Sequence, residues 1–456
     1  MLLNNADKWC EGISMHSMNK NNRLFILFRV LFNCRFYYPI YLVMFLDFGL
    51  TISEFATLNL VWAISIILLE VPSGALADQL GRKKLVVISA FLMVAEIGIL
   101  LITPVGSGIV FWMFFINRIL SGAAEAAASG ADEALAYDSI PLESRENTWK
   151  RTMKNVMIMM SVGFVISSII GALVYSEEFI NGLVSMVGLD ITFSKEQTLK
   201  FPLFLNFITS IGVLIVALKF EEQHIPKNQK KLHAVKESFS GTLRAGRWIL
   251  NTPSATVLIL IGLFYDSIIR VFYTVLSNVY RVLKIPEWSW GFVGAVASIV
   301  GIGVAITCEK MTSKFTPTVN FGVVTLLTFL GCLALSAAIP GWGILLLLPM
   351  FTSMRFLQYF LSHYLNKVTP SEQRATVLSF KGLTMNLAFG ILTQIFGILT
   401  AQIYLSGKFD QMIDPELEAF KYCLKWWPLY FIVGCLLLHL FIRLKYRQSL
   451  TQIIKK

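Results

Sequence analysis

The chain has 456 residues, of which 55% are hydrophobic and 15% are charged. Ordinary soluble domains carry about 25% charged residues. The composition argues against a water-soluble protein, because no soluble core absorbs this much apolar sequence. A net charge of +11 would indicate a nucleic-acid partner in a soluble protein, but here the Lys and Arg residues lie mostly beside apolar runs. We therefore predict a polytopic membrane protein with no nucleic-acid partner.

Cysteine usage and the N-terminal sequence narrow this class further. The six cysteines are scattered without a CxxC pair or a metal-ligand spacing, so we expect no disulfide framework, no metal site and no cofactor. The first 22 residues are polar, and the first apolar run already contains Arg29 and Arg35. This pattern favours a retained first span over a cleaved signal peptide.

Apolar runs long enough to cross a bilayer, which needs about 20 residues, occur twelve times. We predict spans at 24–47, 54–77, 84–105, 108–137, 149–175, 201–220, 254–280, 287–308, 317–338, 341–365, 372–400 and 426–443. Several exceed one bilayer thickness, and we expect those to tilt or to project into the cytoplasm. The end of span 4 is one example, because it carries Asp132, Glu133 and Asp138.

The distribution of cations predicts the orientation, since Lys and Arg accumulate in cytoplasmic loops. Placing the N-terminus inside puts most of them in cytoplasmic segments, so we predict that both termini face the cytoplasm of a bacterial inner membrane. The longest of these loops, 221–252, is predicted to link an N-terminal six-helix bundle, 1–220, to a C-terminal bundle, 253–456. A weak sequence repeat at an offset of about 230 residues supports duplicated halves.

The loop between spans 2 and 3 carries the most specific motif, GALADQLGRKK at 74–84. Gly74 allows close helix approach, Gly81 allows a tight turn, and Asp78 and Arg82 bracket that turn near helix ends. The segment resembles the GxLxDxxGRK signature of the major facilitator superfamily. Arg118 and the Gly four residues later resemble the RxxxG element of the same family. There are departures: Gln79 replaces a usual basic residue, and span 5 lacks the Gly-Pro element of many drug/proton antiporters.

The resemblance implies an all-α fold of twelve transmembrane helices in two pseudo-symmetric six-helix bundles. It further implies a secondary transporter, not an enzyme, that moves a small solute by alternating access around a cavity lined by spans 1, 4, 7 and 10. We expect it to be a monomer in the lipid bilayer. In the family the motif is thought to latch the cytoplasmic side, which here implies that Asp78 lies near Arg374 and that Arg82 meets Asp138.

Five cations lie too deep in the spans to reach water by extending their side chains. They are Arg35, Arg118, Arg270, Arg355 and Lys381. Each would cost about 3 kcal/mol if it faced lipid, so they must face the protein interior or water. Four of them fall on spans 1, 4, 7 and 10, where the acids inside the membrane are Glu125 and Asp266. The surplus of positive charge predicts an anionic or zwitterionic substrate, such as a metabolite or a metal chelate.

Asp266 and Arg270 are spaced i,i+4 and are predicted to pair, either as part of the site or as a structural ion pair. Polar neighbours on spans 1 and 10 offer hydrogen bonds to a substrate: Asn33, Tyr38, Gln358 and Tyr359. A stripe of small residues on span 8 is interpreted as helix packing.

Energy coupling requires a carboxylate whose proton can leave and return. Glu125 fits best, because it lies among alanines and has no cation within one turn, and Glu96 is the second candidate. No GxxxxGK[ST] loop is present to bind ATP, and no HExxH or GxSxG motif suggests an intramembrane enzyme. Three readings stay open: uptake of an anionic solute, proton-driven export of drugs or lipids, and a non-transporting sensor on the same fold.

Overall fold

The computed structural model describes residues 19–222, 244, 246–370, 374–448 and 450–455. In these ranges every regular element is a helix. Ten segments of this part of the chain are long and apolar enough to cross a membrane. The helices Val110–Ala128 and Trp290–Lys314 pack among them, against spans 2 and 3 and against spans 5 and 10 respectively. The protein is an all-α polytopic membrane protein.

Each predicted span contains a long helix. In chain order these are Lys20–Asn33 continued by Tyr41–Asp47, Ile52–Leu80, Arg82–Ile102, Val110–Ala128, Arg145–Tyr175, Phe201–Lys219, Pro253–Val282, Trp290–Lys314, Pro317–Ala337, Leu348–Val368, Arg374–Leu405 and Trp427–Tyr446. Short helices that the sequence reasoning did not predict lie in the connections: Glu177–Met186, Lys195–Thr198, Gly343–Leu346, Pro415–Leu424 and Leu450–Lys455. We number the long helices as spans 1 to 12.

Span 1 is broken near its middle, whereas the sequence predicted a continuous helix. The first segment ends at Asn33, and the second begins after a short 3-10 turn that contains Pro39. The break exposes backbone groups that a membrane interior cannot solvate. The Phe36 N–H donates to Asn206 Oδ1 of span 6 at 2.6 Å, and Arg35 Nε donates to the Phe32 carbonyl at 3.1 Å. Side chains therefore satisfy the polar groups that the break frees.

Span 4 is shorter than predicted. Its helix ends at Ala128, and the acidic segment Ala131–Asp138 forms a separate helix. Gly130 separates the two with a left-handed backbone at φ +76°, which glycine adopts without steric cost. Asp132 consequently turns back to bind Arg29 of span 1 at 2.5 Å, instead of extending span 4 into the cytoplasm.

Spans 1–6 and 7–12, the two halves of the chain, meet along two main seams, where span 2 packs on span 11 and span 5 packs on span 8. The first and last described residues lie at one end of the bundle, which we call the termini end, and the opposite end is the far end. At the far end, ion pairs join the halves: Asp47 with Arg281 at 2.7 Å and Lys195 with Glu287 at 2.5 Å. The far end is therefore closed.

Candidate functional site

A central cavity of about 510 Å³ lies between the halves. Its walls come from spans 1, 2, 4, 5, 7, 8, 10 and 11. Six of the residues predicted to bind substrate line it: Arg35, Tyr38, Arg118, Arg270, Arg355 and Gln358. Aromatic rings form much of the remaining wall: Tyr37, Tyr41, Trp62, Phe164, Tyr273, Tyr280, Trp290, Phe351 and Phe389. The volume is in the range of small-molecule sites, which run from about 300 to 1,000 Å³.

Arg35 has an acidic partner that the sequence reasoning did not assign to it. Its Nη1 lies 2.6 Å from Glu96 Oε1 of span 3, and both side chains are almost fully buried. The two residues are 61 positions apart, so no local spacing indicated the pair. Glu96 lies behind the cavity wall, and it brings to three the acids that offset the four arginines. The surplus of two positive charges counted from spans 1, 4, 7 and 10 is therefore reduced to one.

Arg118 is held by neutral acceptors. Its Nη1 donates to the Tyr41 hydroxyl at 2.9 Å, and its Nε and Nη2 donate to Asn117 Oδ1 at 2.8 and 2.6 Å. The guanidinium also lies over the Phe45 ring at 5.5 Å. None of these groups neutralises its charge, so Arg118 contributes a positive charge to the cavity wall.

Arg270 forms the predicted i,i+4 pair, with its Nη2 2.5 Å from Asp266 Oδ2. Its Nη1 donates to Asn386 Oδ1 of span 11 at 2.7 Å, and the guanidinium lies over the Phe389 ring. Arg270 reaches the cavity, whereas Asp266 lies behind it and does not line it. The pair therefore presents a neutralised arginine to the cavity.

Arg355 differs from the other three cavity arginines. Its side chain is exposed to the cavity space, and in the described part of the chain it forms no hydrogen bond or ion pair. Gly301 on span 8 makes room for it, because a Cβ at that position would lie 3.3 Å from Arg355 Nε. The small-residue stripe on span 8 thus has two roles, since Gly291 packs tightly against the span 5 backbone at Ser168.

Glu125 is the acid on the cavity wall among the described residues. Its side chain is exposed to the cavity, and within the described ranges it forms no ion pair or hydrogen bond. Arg118 and Arg355, which lack acidic partners, line the same cavity as this one carboxylate. The cavity wall therefore carries a net positive charge.

Two further predicted binding residues lie outside the lining. Asn33 donates to the Arg29 carbonyl of its own helix at 2.8 Å, and the Tyr359 ring stacks on His363. Asn33 precedes the break in span 1, whereas the lining residues of this span follow it. Tyr359 lies one helical turn after Arg355 and on the same face, but beyond the end of the lining.

The loop between spans 2 and 3 contains part of the predicted latch. Arg82 forms an ion pair with Asp138 and donates to the Ala134 carbonyl at 3.2 Å. Gly81 adopts φ +97°, and Glu222, at the start of the connection to span 7, accepts from the Arg82 N–H at 2.6 Å. The side chains of Asp78 and Arg374, and the surroundings of Gly74, lie outside the described residues, so the latch as a whole stays a prediction.

The far-end ion-pair network was not found from the sequence. The Tyr175 hydroxyl bonds Asp47 and accepts from Arg281 at 3.2 Å, while the Lys195 ammonium lies 3.4 Å from the centre of the Tyr175 ring. Span-end charges are common in membrane proteins, and only the packing of distant helices shows that these ones meet.

The sequence matches the Major Facilitator Superfamily over residues 24–403, and the chain belongs to this family. It is 24% identical over 394 residues to the uncharacterized MFS-type transporter YxaM of Bacillus subtilis (strain 168), a match that covers 81% of this chain and 86% of the relative. The family consists of secondary transporters, and the protein is a membrane transporter of this class.

Solved structures share the fold. A mutant of the nucleoside transporter NupG superposes with a TM-score of 0.68 at 13% identity, covering 92% of this chain and 99% of that one. A bacterial homolog of the human lysosomal transporter Spinster, inward-facing and unoccupied, gives 0.68 at 14% identity, covering 95% and 96%. A POT family transporter in complex with 5-aminolevulinic acid gives 0.65 at 15% identity, covering 95% and 96%.

Proposed function

We propose that the protein carries a small anionic or zwitterionic solute through the central cavity by alternating access, coupled to protons. The observation that supports this most directly is Arg355, a guanidinium without an acidic partner on the wall of a closed-ended cavity. An unpaired charge in such a place is unfavourable unless water or a ligand compensates it. A carboxylate or phosphate group matches the fork of a guanidinium through two parallel hydrogen bonds.

Arg118 supports the same substrate charge from the other half of the chain. It belongs to span 4, and Arg355 belongs to span 10. An anion held by both would bridge the halves, and its arrival would favour the conformation in which they close around it. Arg35 and Arg270 add polar surface, with their charges offset by Glu96 and Asp266. The free carboxylate of Glu125 is the proposed proton carrier, and it could also hold the amino group of a zwitterion.

The proposal includes the movement of the two halves. Residues 1–220 and 253–456 would move as two bodies joined by the linker 221–252, with the Arg82–Asp138 latch stabilising one state. The positive-inside distribution of Lys and Arg supports a termini end in the bacterial cytoplasm. The closed far end then corresponds to a conformation that is sealed toward the outside.

Binding to matched ligand pairs tests the substrate charge. Purified protein is screened by thermal unfolding against small carboxylic acids and their neutral amides, because a ligand stabilises the state it binds. We expect acids, and not their amides, to stabilise the wild type. The Arg355→Ala variant should bind such an acid roughly ten- to a hundredfold more weakly, since a hydrogen bond to a charged group contributes about 1.5–3 kcal/mol.

The Arg355→Lys variant separates charge from geometry, because it keeps the charge and loses the planar fork. Its affinity should fall between those of the wild type and Arg355→Ala. Arg443→Ala, near the end of span 12, is the matched control and should bind like the wild type. Equal stabilisation by acids and amides, or unchanged binding by Arg355→Ala, would overturn the anionic assignment. Flux of the bound acid into proteoliposomes tests whether the protein carries the acid that it binds.

A further inference from the structure

A second large concave site lies between spans 7, 11 and 12, apart from the central cavity. We call it the lateral groove, and its volume is about 690 Å³. Most of span 12 is exposed, and Trp427 and Phe431 are its two buried residues. The opposite face of span 7 lines the central cavity through Arg270 and Tyr273. Span 7 therefore forms a wall shared by both sites.

The groove wall is almost entirely hydrocarbon. Leu260, Phe264 and Ile268 contribute from span 7, and Ile391 and Ile395 contribute from span 11. Ser267 adds a hydroxyl, but it donates to a carbonyl of its own helix at 2.6 Å. A buried water needs two to four polar partners, and this wall does not offer them.

The groove opens toward the membrane. Ile391 and Ile395 on its rim are 46% and 48% exposed, and the helices that carry them are bilayer-spanning. The surrounding medium at that depth is lipid hydrocarbon. An acyl chain is thus the occupant that matches both the wall and the medium.

A cation stands at the far-end mouth of the groove. Lys425 lies two residues before Trp427, which lines the groove, and its carbonyl accepts from Ser336 Oγ at 3.2 Å, which fixes the position of its backbone. Its side chain is exposed, and within the described chain it forms no ion pair. The adjacent exposed Trp426 is a residue type that settles at the headgroup level of a bilayer.

The three acids of the segment 414–424, which directly precedes Lys425, are engaged elsewhere. Glu416 accepts from the Ile52 N–H at 2.9 Å, Asp414 caps the Leu417 N–H at 2.9 Å, and Glu418 pairs with Lys421. They leave Lys425 free to meet an anionic headgroup.

We propose that the lateral groove binds one acyl chain of an anionic membrane phospholipid, whose negatively charged headgroup is held by Lys425. The bound chain fills the space behind span 7 and supports the wall of the transport cavity from its lipid side. This inference does not depend on which solute the cavity carries.

Native mass spectrometry of the full-length protein in detergent, titrated with phosphatidylglycerol or phosphatidylcholine, tests the proposal. The variant Ala388→Trp places a large ring in the groove. We expect it to lower the affinity for phosphatidylglycerol at least tenfold. The control Leu326→Trp adds the same ring at an exposed position of span 9 and should bind like the wild type. If Ala388→Trp does not fold, Ile395→Asn weakens the apolar wall without filling it.

Lys425→Ala tests the headgroup contact. One Lys near an anionic surface contributes about 1 kcal/mol, so affinity for phosphatidylglycerol should fall about fivefold while that for phosphatidylcholine changes little. Unchanged lipid binding by both groove variants would overturn the site, and an equal effect of Lys425→Ala on both lipids would overturn the preference for an anionic headgroup. A wild-type dimer that Ala388→Trp makes monomeric would show instead that a second copy of the chain occupies the groove.

Discussion

Arg281 at the end of span 7 donates to Asp47 at the end of span 1 over 2.7 Å, and the two residues are 234 positions apart in the chain. The bond joins the two halves at the far end. Their side chains are 29% and 14% exposed, so the pair is partly shielded from water. Any conformation that opens the far end must break it.

Removing the charge of Asp47 should shift the conformational balance. In Asp47→Asn, a cysteine introduced in the cavity wall as Ser298→Cys should react faster with a membrane-impermeant maleimide added at the far end. An ion pair of this kind is worth about 1 kcal/mol, which corresponds to a roughly fivefold shift between two states. Glu418→Gln breaks a pair within one helix at the same end and should leave the rate unchanged. Equal rates in both variants would contradict a closing role for Asp47.

Glu125→Gln tests energy coupling. The amide resembles a protonated carboxyl, so this variant should lose proton-driven accumulation of substrate while it retains exchange of substrate down its own gradient. Accumulation and counterflow in proteoliposomes with an imposed pH gradient separate the two activities. Glu54→Gln, which changes a half-buried acid at the start of span 2 that accepts a hydrogen bond from the Thr51 N–H, is the control. A Glu125→Gln variant that still accumulates substrate with protons would move the coupling site elsewhere, with Glu96 as the next candidate.

The buried pair of Arg35 and Glu96 should dominate the stability of the first half. Glu96→Leu leaves a buried guanidinium without a partner, which costs about 3–5 kcal/mol, whereas the double variant Arg35→Met/Glu96→Leu removes both charges and should be the more stable of the two. Unfolding in mixed detergent measures the difference. Glu146→Leu breaks an exposed i,i+4 pair and should lose no more than about 1 kcal/mol. A single variant as stable as the wild type would contradict this account.

Gly81→Ala should destabilise the loop between spans 2 and 3. Its backbone lies at φ +97° and ψ 141°, where a side chain is strained by about 1–3 kcal/mol, and the new Cβ would displace the Glu222 carboxylate. Thermal unfolding reports the loss. Gly303→Ala on span 8, where nothing lies within 4 Å, is the control. Equal melting temperatures for Gly81→Ala and the wild type would show that the turn at Gly81 and its contact with Glu222 do not contribute to stability.

The sequence predicted the features that depend on local spacing. Span positions followed from runs of apolar residues, and the pair of Asp266 and Arg270 followed from their i,i+4 spacing. Charged residues in a bilayer must face the interior, so the cavity positions of Arg118 and Arg355 were also predictable.

The features that the sequence missed depend on helices distant in the chain. Nothing near Arg35 indicates Glu96, and nothing near Asp47 indicates Arg281. The break in span 1 was missed because its residues are apolar enough for a continuous helix, and Pro39 alone did not indicate where the helix ends. The lateral groove was not predicted because the same apolar residue types line a groove and pack against a neighbouring helix, so the sequence does not distinguish the two.

The break in span 1 also bears on how the protein is made. Arg35 and the Phe36 N–H enter the membrane before their partners exist, since Glu96 and Asn206 are synthesised 61 and 170 residues later. An Arg near the middle of a newly inserted helix costs about 3 kcal/mol. The nascent first span is therefore metastable until span 6 leaves the ribosome. If translation stops before Asn206, the first span keeps a backbone N–H without its partner inside the membrane. Quality-control proteases of the membrane can recognise such an incomplete chain.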